Sequence, residues 1–147
     1  MSWPSEGVEP IAVTSTKVLT NGDILFNVYG DIQIVSLVSE CISTGVAAAS
    51  TLQYQSAPSV GAAATFSGAS ASMISCVAGS SIQLADGMTT APVIEVSGAN
   101  NAGTYPLAAW CPKGTIKAVV GTGPTTGTWK HYIRYKPLEP GAYVTGV

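Results

Sequence analysis

The chain's one histidine, His131, is the side chain best suited to move protons near neutral pH, so a nucleophile–histidine–carboxylate set would have to be built around it. Its neighbours argue otherwise. His131 alternates with Trp129 and Ile133 in a strand-like run, and no GxSxG sequence is present to hold a serine on a strand-to-helix elbow. A histidine satisfied in a core or an interface is the expectation. Paired carboxylates would have to come from eight acids that share no motif. The run Gly121-Thr-Gly-Pro-Thr-Thr-Gly127 has the glycine content of a phosphate loop, but it lacks the closing Lys-Ser/Thr and joins two expected strands instead of opening a helix. Cys41, Cys76 and Cys111 are odd in number, have no CxxC spacing and are accompanied by a single histidine, which fits neither a zinc site nor a disulfide framework. They are expected as buried small hydrophobes in a chain made in a reducing cytosol. The expectation is a protein that is not an enzyme and has no cofactor and no metal.

Recognition is the chemistry that remains. Trp110, Trp129, Tyr132, Tyr135 and Tyr143 would offer sugars a stacking platform if a β-sandwich gathered them on one surface. Against this, few Asp, Asn or Glu lie near them to bond hydroxyl groups, and the aromatics between 129 and 135 alternate across both faces of their strand. Packing and subunit contact account for them better.

The element that must position these residues is TTGTWKHYIRYKPL, Thr125 to Leu138. It is rich in aromatic and β-branched types between a Gly-containing turn and Pro137, which predicts a long strand. Alternation puts Trp129, His131, Ile133 and Tyr135 on a covered face, and Lys130, Tyr132, Arg134 and Lys136 on the other. That second face carries three of the chain's six cations.

At 147 residues the chain is expected to form one domain, residues 11–147, preceded by an extended arm, residues 1–10. Charged residues are only 10%, against roughly 25% in an ordinary soluble domain, and neutral surface favours association. A formal charge of −2 gives no global attraction for nucleic acid or anionic lipid. No run approaches the roughly 18 apolar residues of a membrane span, and Met1-Ser-Trp-Pro lacks the basic and apolar regions of a secretory leader. Acids dominate the first forty residues (Glu6, Glu9, Asp23, Asp31 and Glu40 against Lys17), whereas Lys113, Lys117, Lys130, Arg134 and Lys136 have no acid among them. Ends of opposite sign would suit pairing with a neighbouring copy or a partner; charges spread over a solvated surface is the plainer reading.

The arm MSWPSEGVEP has Trp3, beside Pro4, as its only large apolar side chain. Burying an indole contributes up to about 5 kcal/mol, at roughly 25 cal/mol per Å² over some 200 Å², before ordering costs. Trp3 either anchors on a neighbour or folds back on its own domain. Beyond the arm, Asn21-Gly22 between Ile11–Thr20 and Ile24–Tyr29 predicts a β-hairpin. Ile32–Ile42 changes its alternation between Ile34 and Val35, which predicts a bulge or a strand buried on both faces. Strands are also expected at Leu52–Gln55, Met73–Val77, Ser81–Ala85, Val93–Val96, Leu107–Trp110, Thr115–Val120 and, at an edge, Ala142–Thr145, with Asp86-Gly87 as a further turn. About nine short strands and no convincing amphipathic helix indicate an all-β, two-sheet sandwich. A jelly roll is preferred, because the strands are unequal and the connection through residues 43–70 is long. That Ala/Ser-rich connection has the composition of a loop lying on another protein.

Three stretches carry a resemblance: ILFNVYGDIQIVSLV from Ile24 to Val38, Lys113-Gly-Thr-Ile116, and TGTWKHYIRYKPL from Thr126 to Leu138 followed by Gly141-Ala142. Together they resemble small structural proteins of tailed bacteriophages, some of which are head decoration or cement proteins that form jelly-roll dimers on the capsid exterior. The likeness covers about forty residues at the two ends of the chain and leaves the Ala/Ser-rich middle unmatched. The resemblance implies a virion protein, a homodimer, with the major capsid protein lattice as its partner. Lattice contacts are then expected in the arm, through Trp3 and Pro4, and on the basic face Lys130, Arg134 and Lys136. The alternative is a carbohydrate- or receptor-binding β-domain of a tail fibre or adhesin.

Overall fold

The structure, a computed structural model, describes residues 10–43, 49–84, 92–95, 109–121 and 127–147. Trp3 and Pro4, with the rest of residues 1–9, and the Asp86-Gly87 turn lie outside the described residues. The regular structure among the described residues is all strand: β1 (Ile11–Val13), β2 (Lys17–Val18), β3 (Ile24–Tyr29), β4 (Ile32–Ser43), β5 (Thr51–Pro58), β6 (Ala64–Thr65), β7 (Ser81–Gln83), β8 (Val93–Glu95), β9 (Ala109–Cys111), β10 (Gly114–Gly121), β11 (Thr128–Pro137) and β12 (Tyr143–Gly146). They form two antiparallel sheets. The first runs β1-β11-β4-β7-β8, with β2 also pairing β11 and β9 pairing β4; the second runs β12-β3-β10-β5-β6. Residues of both sheets form one hydrophobic core, with Ile34, Leu37, Trp129 and Ile133 from the first against Phe26, Leu52, Tyr54 and Ile116 from the second. The chain is an all-β sandwich.

Strand β11 lies inside the first sheet, between β1 and β4, and its residues alternate as expected. Trp129, His131, Ile133 and Tyr135 are buried, while Lys130, Tyr132 and Arg134 are half-buried and Lys136 is exposed. Its ladder with β4 skips Val35, between the pairs Arg134↔Ser36 and Tyr135↔Ile34, and Ile42, between Thr128↔Ser43 and Trp129↔Cys41. The bulge at Val35 is the one the change of alternation predicts. By absorbing one residue it keeps Ile32, Ile34, Leu37, Ser39 and Cys41 all facing the core.

Other expectations fail for identifiable reasons. Asn21-Gly22 does not close a hairpin: β2 belongs to the first sheet and β3 to the second. Gly22 adopts φ +85, as the dipeptide suggests, but the turn docks on β10. There the Asn21 side chain accepts from the Val120 N–H (2.9 Å), and Gly22 N–H donates to the Ala118 carbonyl (2.8 Å). The dipeptide marks a backbone conformation, not the pairing of its flanks. Met73–Val77 is a turn and not a strand, with Cys76 N–H donating to the Met73 carbonyl.

The long connection through residues 43–70 contains β5, an inner strand of the second sheet that pairs with β10 along its whole length. The serines beyond β5 cover its other edge. Ser67 Oγ and Ser70 Oγ accept from the N–H groups of Tyr54 (3.0 Å) and Leu52 (2.9 Å), and Phe66 and Ser70 N–H donate to the carbonyls of the same two residues. The Ser-rich stretch therefore completes this protein's own sheet edge.

Two corners tie the sheets together. Asp31 N–H donates to Glu139 Oε1 (2.8 Å) and Lys113 N–H to Asp31 Oδ1 (3.2 Å), while Gly30, at φ +100, lies so close to Ala142 that a Cβ there would sit 2.8 Å from the alanine's own. At the other corner β12 meets β1. Ser15 N–H donates to the Val147 carbonyl (3.1 Å), and a Cβ on Gly146 would fall 1.9 Å from the Val13 oxygen.

Candidate functional site

The outward side chains of β11 gather the basic residues expected from the sequence. Lys130, Arg134 and Lys136 share one face, with Tyr132 between the first two. Along a strand rising roughly 3.3 Å per residue they stand about 13 Å and about 7 Å apart. Lys130 Nζ lies 5.6 Å from the centroid of the Tyr132 ring, a cation–π distance. Tyr132 donates its hydroxyl to Glu40 Oε1 at 3.0 Å. Partial burial, with that hydrogen bond and the charge of Glu40, raises the phenol above its ordinary range. Glu40 is also the register partner of Lys130, so acids and cations far apart in sequence meet on adjacent strands.

The register extends this face on both sides. Ile11 pairs with Arg134 and Val13 with Tyr132; both apolar side chains point to solvent, Ile11 at 64% exposure, while Ala12 between them is buried. On the other side Gln33 pairs with both Lys136 and Trp110, forming a row Lys136–Gln33–Trp110 in which the indole is 64% exposed. Among the described residues Arg134 Nε has no hydrogen-bond partner. A line of cations flanked by exposed apolar side chains can hold carboxylates while burying hydrocarbon beside them. Sequence reasoning missed Ile11 and Val13. Their signal was the apolar–small–apolar order of IAV, which says that one face is covered and leaves open which.

The five aromatics considered for sugar stacking are not gathered. Trp129 and Tyr135 are buried, and Tyr135 Oη accepts from Val144 N–H (3.1 Å); Trp110 and Tyr132 face outward from the first sheet; Tyr143 belongs to the second. Tyr143 instead stacks on Tyr29, the two rings 4.6 Å apart and both about half exposed.

His131 sits in the core as a structural residue. Its Nδ1 is 2.7 Å from Ser39 Oγ, which is 2.6 Å from Tyr54 Oη, and all three side chains are buried. Tyr54 donates a long hydrogen bond to the Ile82 carbonyl (3.5 Å), which leaves Ser39 to donate to Tyr54 and assigns the proton of the neutral imidazole to Nδ1. Burial, helped by the charge of Lys17, pushes His131 down to about 3. Among the described residues Nε2 and the neighbouring Trp129 Nε1 have no hydrogen-bond partner. Cys41, Cys76 and Cys111 are free and buried, and burial raises all three thiols, Cys76 and Cys111 to about 11. Among the described residues no three His, Cys, Asp or Glu side chains gather as metal ligands.

No family model, no curated protein and no solved structure matches this chain.

Proposed function

We propose that this protein is a virion structural component that binds the outside of a phage capsid and stabilises the major capsid protein lattice. The observation that carries the reading is the outer face of β11, where Lys130, Arg134 and Lys136 lie between exposed apolar flanks on a rigid sheet. Such a face suits contact with another protein and needs no pocket. Modest contacts of this kind, repeated over a lattice, gain strength because each added contact forms at high effective concentration.

Strand nesting supports the reading. Taken in chain order, β1, β3, β4, β5, β6, β7, β10 and β11 fall into one sheet as first-eighth-third-sixth and into the other as second-seventh-fourth-fifth. With β2, β8, β9 and β12 set aside as additions, we read this nesting as that of a jelly roll, the architecture expected from the sequence and one used by capsid and lectin domains alike. Parts of the motifs behind the phage resemblance meet at one corner, where Leu138 N–H donates to the Asp31 carbonyl, Lys113 N–H donates to Asp31 Oδ1 and Ala142 lies against Gly30. Dispersal of the five aromatics disfavours the sugar-binding alternative.

Co-sedimentation with purified shells, run beside a glycan array, tests the proposal. The protein is expected to pellet with shells and to leave the array unlabelled. Retention on glycans without shell binding would overturn it.

A further inference from the structure

Resting on that reading, we infer that the docking surface is the outer face spanning β1, β11, β4 and β9, and that it receives an acidic surface of a different protein, with Trp110 and Ile11 buried at the flanks of the contact. Three observations support this.

The first is charge. Three cations stand on this face, and its one described acid, Glu40, is taken up by Tyr132 and faces Lys130 across the ladder. The whole chain is at −2, so the face is a basic patch on an acidic molecule and orients it toward negative surfaces. A second copy docking here about a two-fold axis would set these cations against their own equivalents, so charge complementarity selects a different chain.

The second is apolar exposure at both margins of the cation line. Ile11 and Trp110 are each 64% exposed and Val13 40%, though all lie beside well-packed strands. An exposed indole next to Gln33 and Lys136 is the kind of side chain that carries binding energy once water is excluded from it.

The third is that two stretches of sheet edge among the described residues are closed to strand addition. Ser67 and Ser70 cover β5, and β12 closes against β1 through Ser15 and Gly146. A partner at those sites has no open ladder to extend, whereas the face is accessible.

Binding of purified shells is measured for the full chain and for three variants, each first checked for an unchanged melting temperature. Trp110→Ala is expected to weaken binding roughly thirtyfold, as loss of a buried aromatic anchor does. The double variant Arg134→Gln/Lys136→Gln is expected to weaken it and to flatten its dependence on salt. Tyr29→Ser, on the opposite sheet, is expected to bind as the unaltered chain does. Full binding by the first two variants with loss in the third would overturn the assignment of the face while leaving capsid binding intact. Shells that fail to capture even the unaltered chain would overturn both. Equal competition by a 20-base-pair DNA duplex, or by vesicles containing phosphatidylserine, would show that the cations read phosphate and would overturn an acidic protein as the partner.

Discussion

His131 is buried in the sandwich as a neutral ring whose Nδ1–H donates to Ser39. Its folded value, about 3, is below the 6.5 of an unperturbed histidine, so the unfolded chain takes up a proton that the folded one refuses. Stability from this group is fully present above pH 6.5 and is lost as pH falls toward 3, by about 1.4 kcal/mol for each unit. Urea unfolding followed from pH 7 to pH 4 should show this slope added to that of the carboxylates. In His131→Asn, whose amide can still donate to Ser39, the histidine part of the slope should vanish even if the variant is less stable throughout; an unchanged slope would contradict the assignment. The inward set Trp129, His131, Ile133 and Tyr135 was legible from a period of two, because a strand offers only two faces. Ser39 and Tyr54 were not, since what makes them partners of His131 is cross-strand and cross-sheet register.

At the scale of elements, the closures between sheets depend on missing side chains and on serine hydroxyls. Gly146→Ala would drive a methyl into the Val13 carbonyl where β12 meets β1, and backbone cannot yield there cheaply. A loss of about 3 kcal/mol is expected from the shift in urea midpoint, typical of forced overpacking. Ser67→Ala and Ser70→Ala each strip an acceptor from a β5 N–H and should cost about 1–2 kcal/mol apiece. Together they should also expose the β5 edge and raise light scattering at high protein concentration; a double variant as stable and as soluble as the parent would rule out the edge-cover role. These elements also mark where local sequence misleads. Asn21-Gly22 predicted its turn correctly and its pairing wrongly, because positive φ serves an inter-sheet corner as well as a hairpin. The Ala/Ser-rich stretch looked like a surface for another protein, because composition cannot distinguish hydroxyls that bond a partner from hydroxyls that bond the chain's own edge.

For the molecule as a whole, the two-sheet class was legible from strand spacing and turn residues, whereas the sheet each strand joins depended on contacts far apart in sequence. The basic face was legible in part. Lys130, Arg134 and Lys136 share one strand and so declare their common side, but Ile11 and Trp110 reach that surface from separate strands. The sequence separation of acids and cations is partly cancelled in space, where Glu40 lies beside Lys130, and what survives is a short cationic line with apolar margins. On the function proposed above, this protein works by laying that face on a larger protein assembly. A cryo-electron microscopy reconstruction of shells incubated with the purified chain tests it most directly. The sandwich is expected on the outer surface of the shell with Trp110 and Arg134 turned toward the capsid subunits; bare shells, or a sandwich seated through the Tyr29–Tyr143 side, would overturn that function.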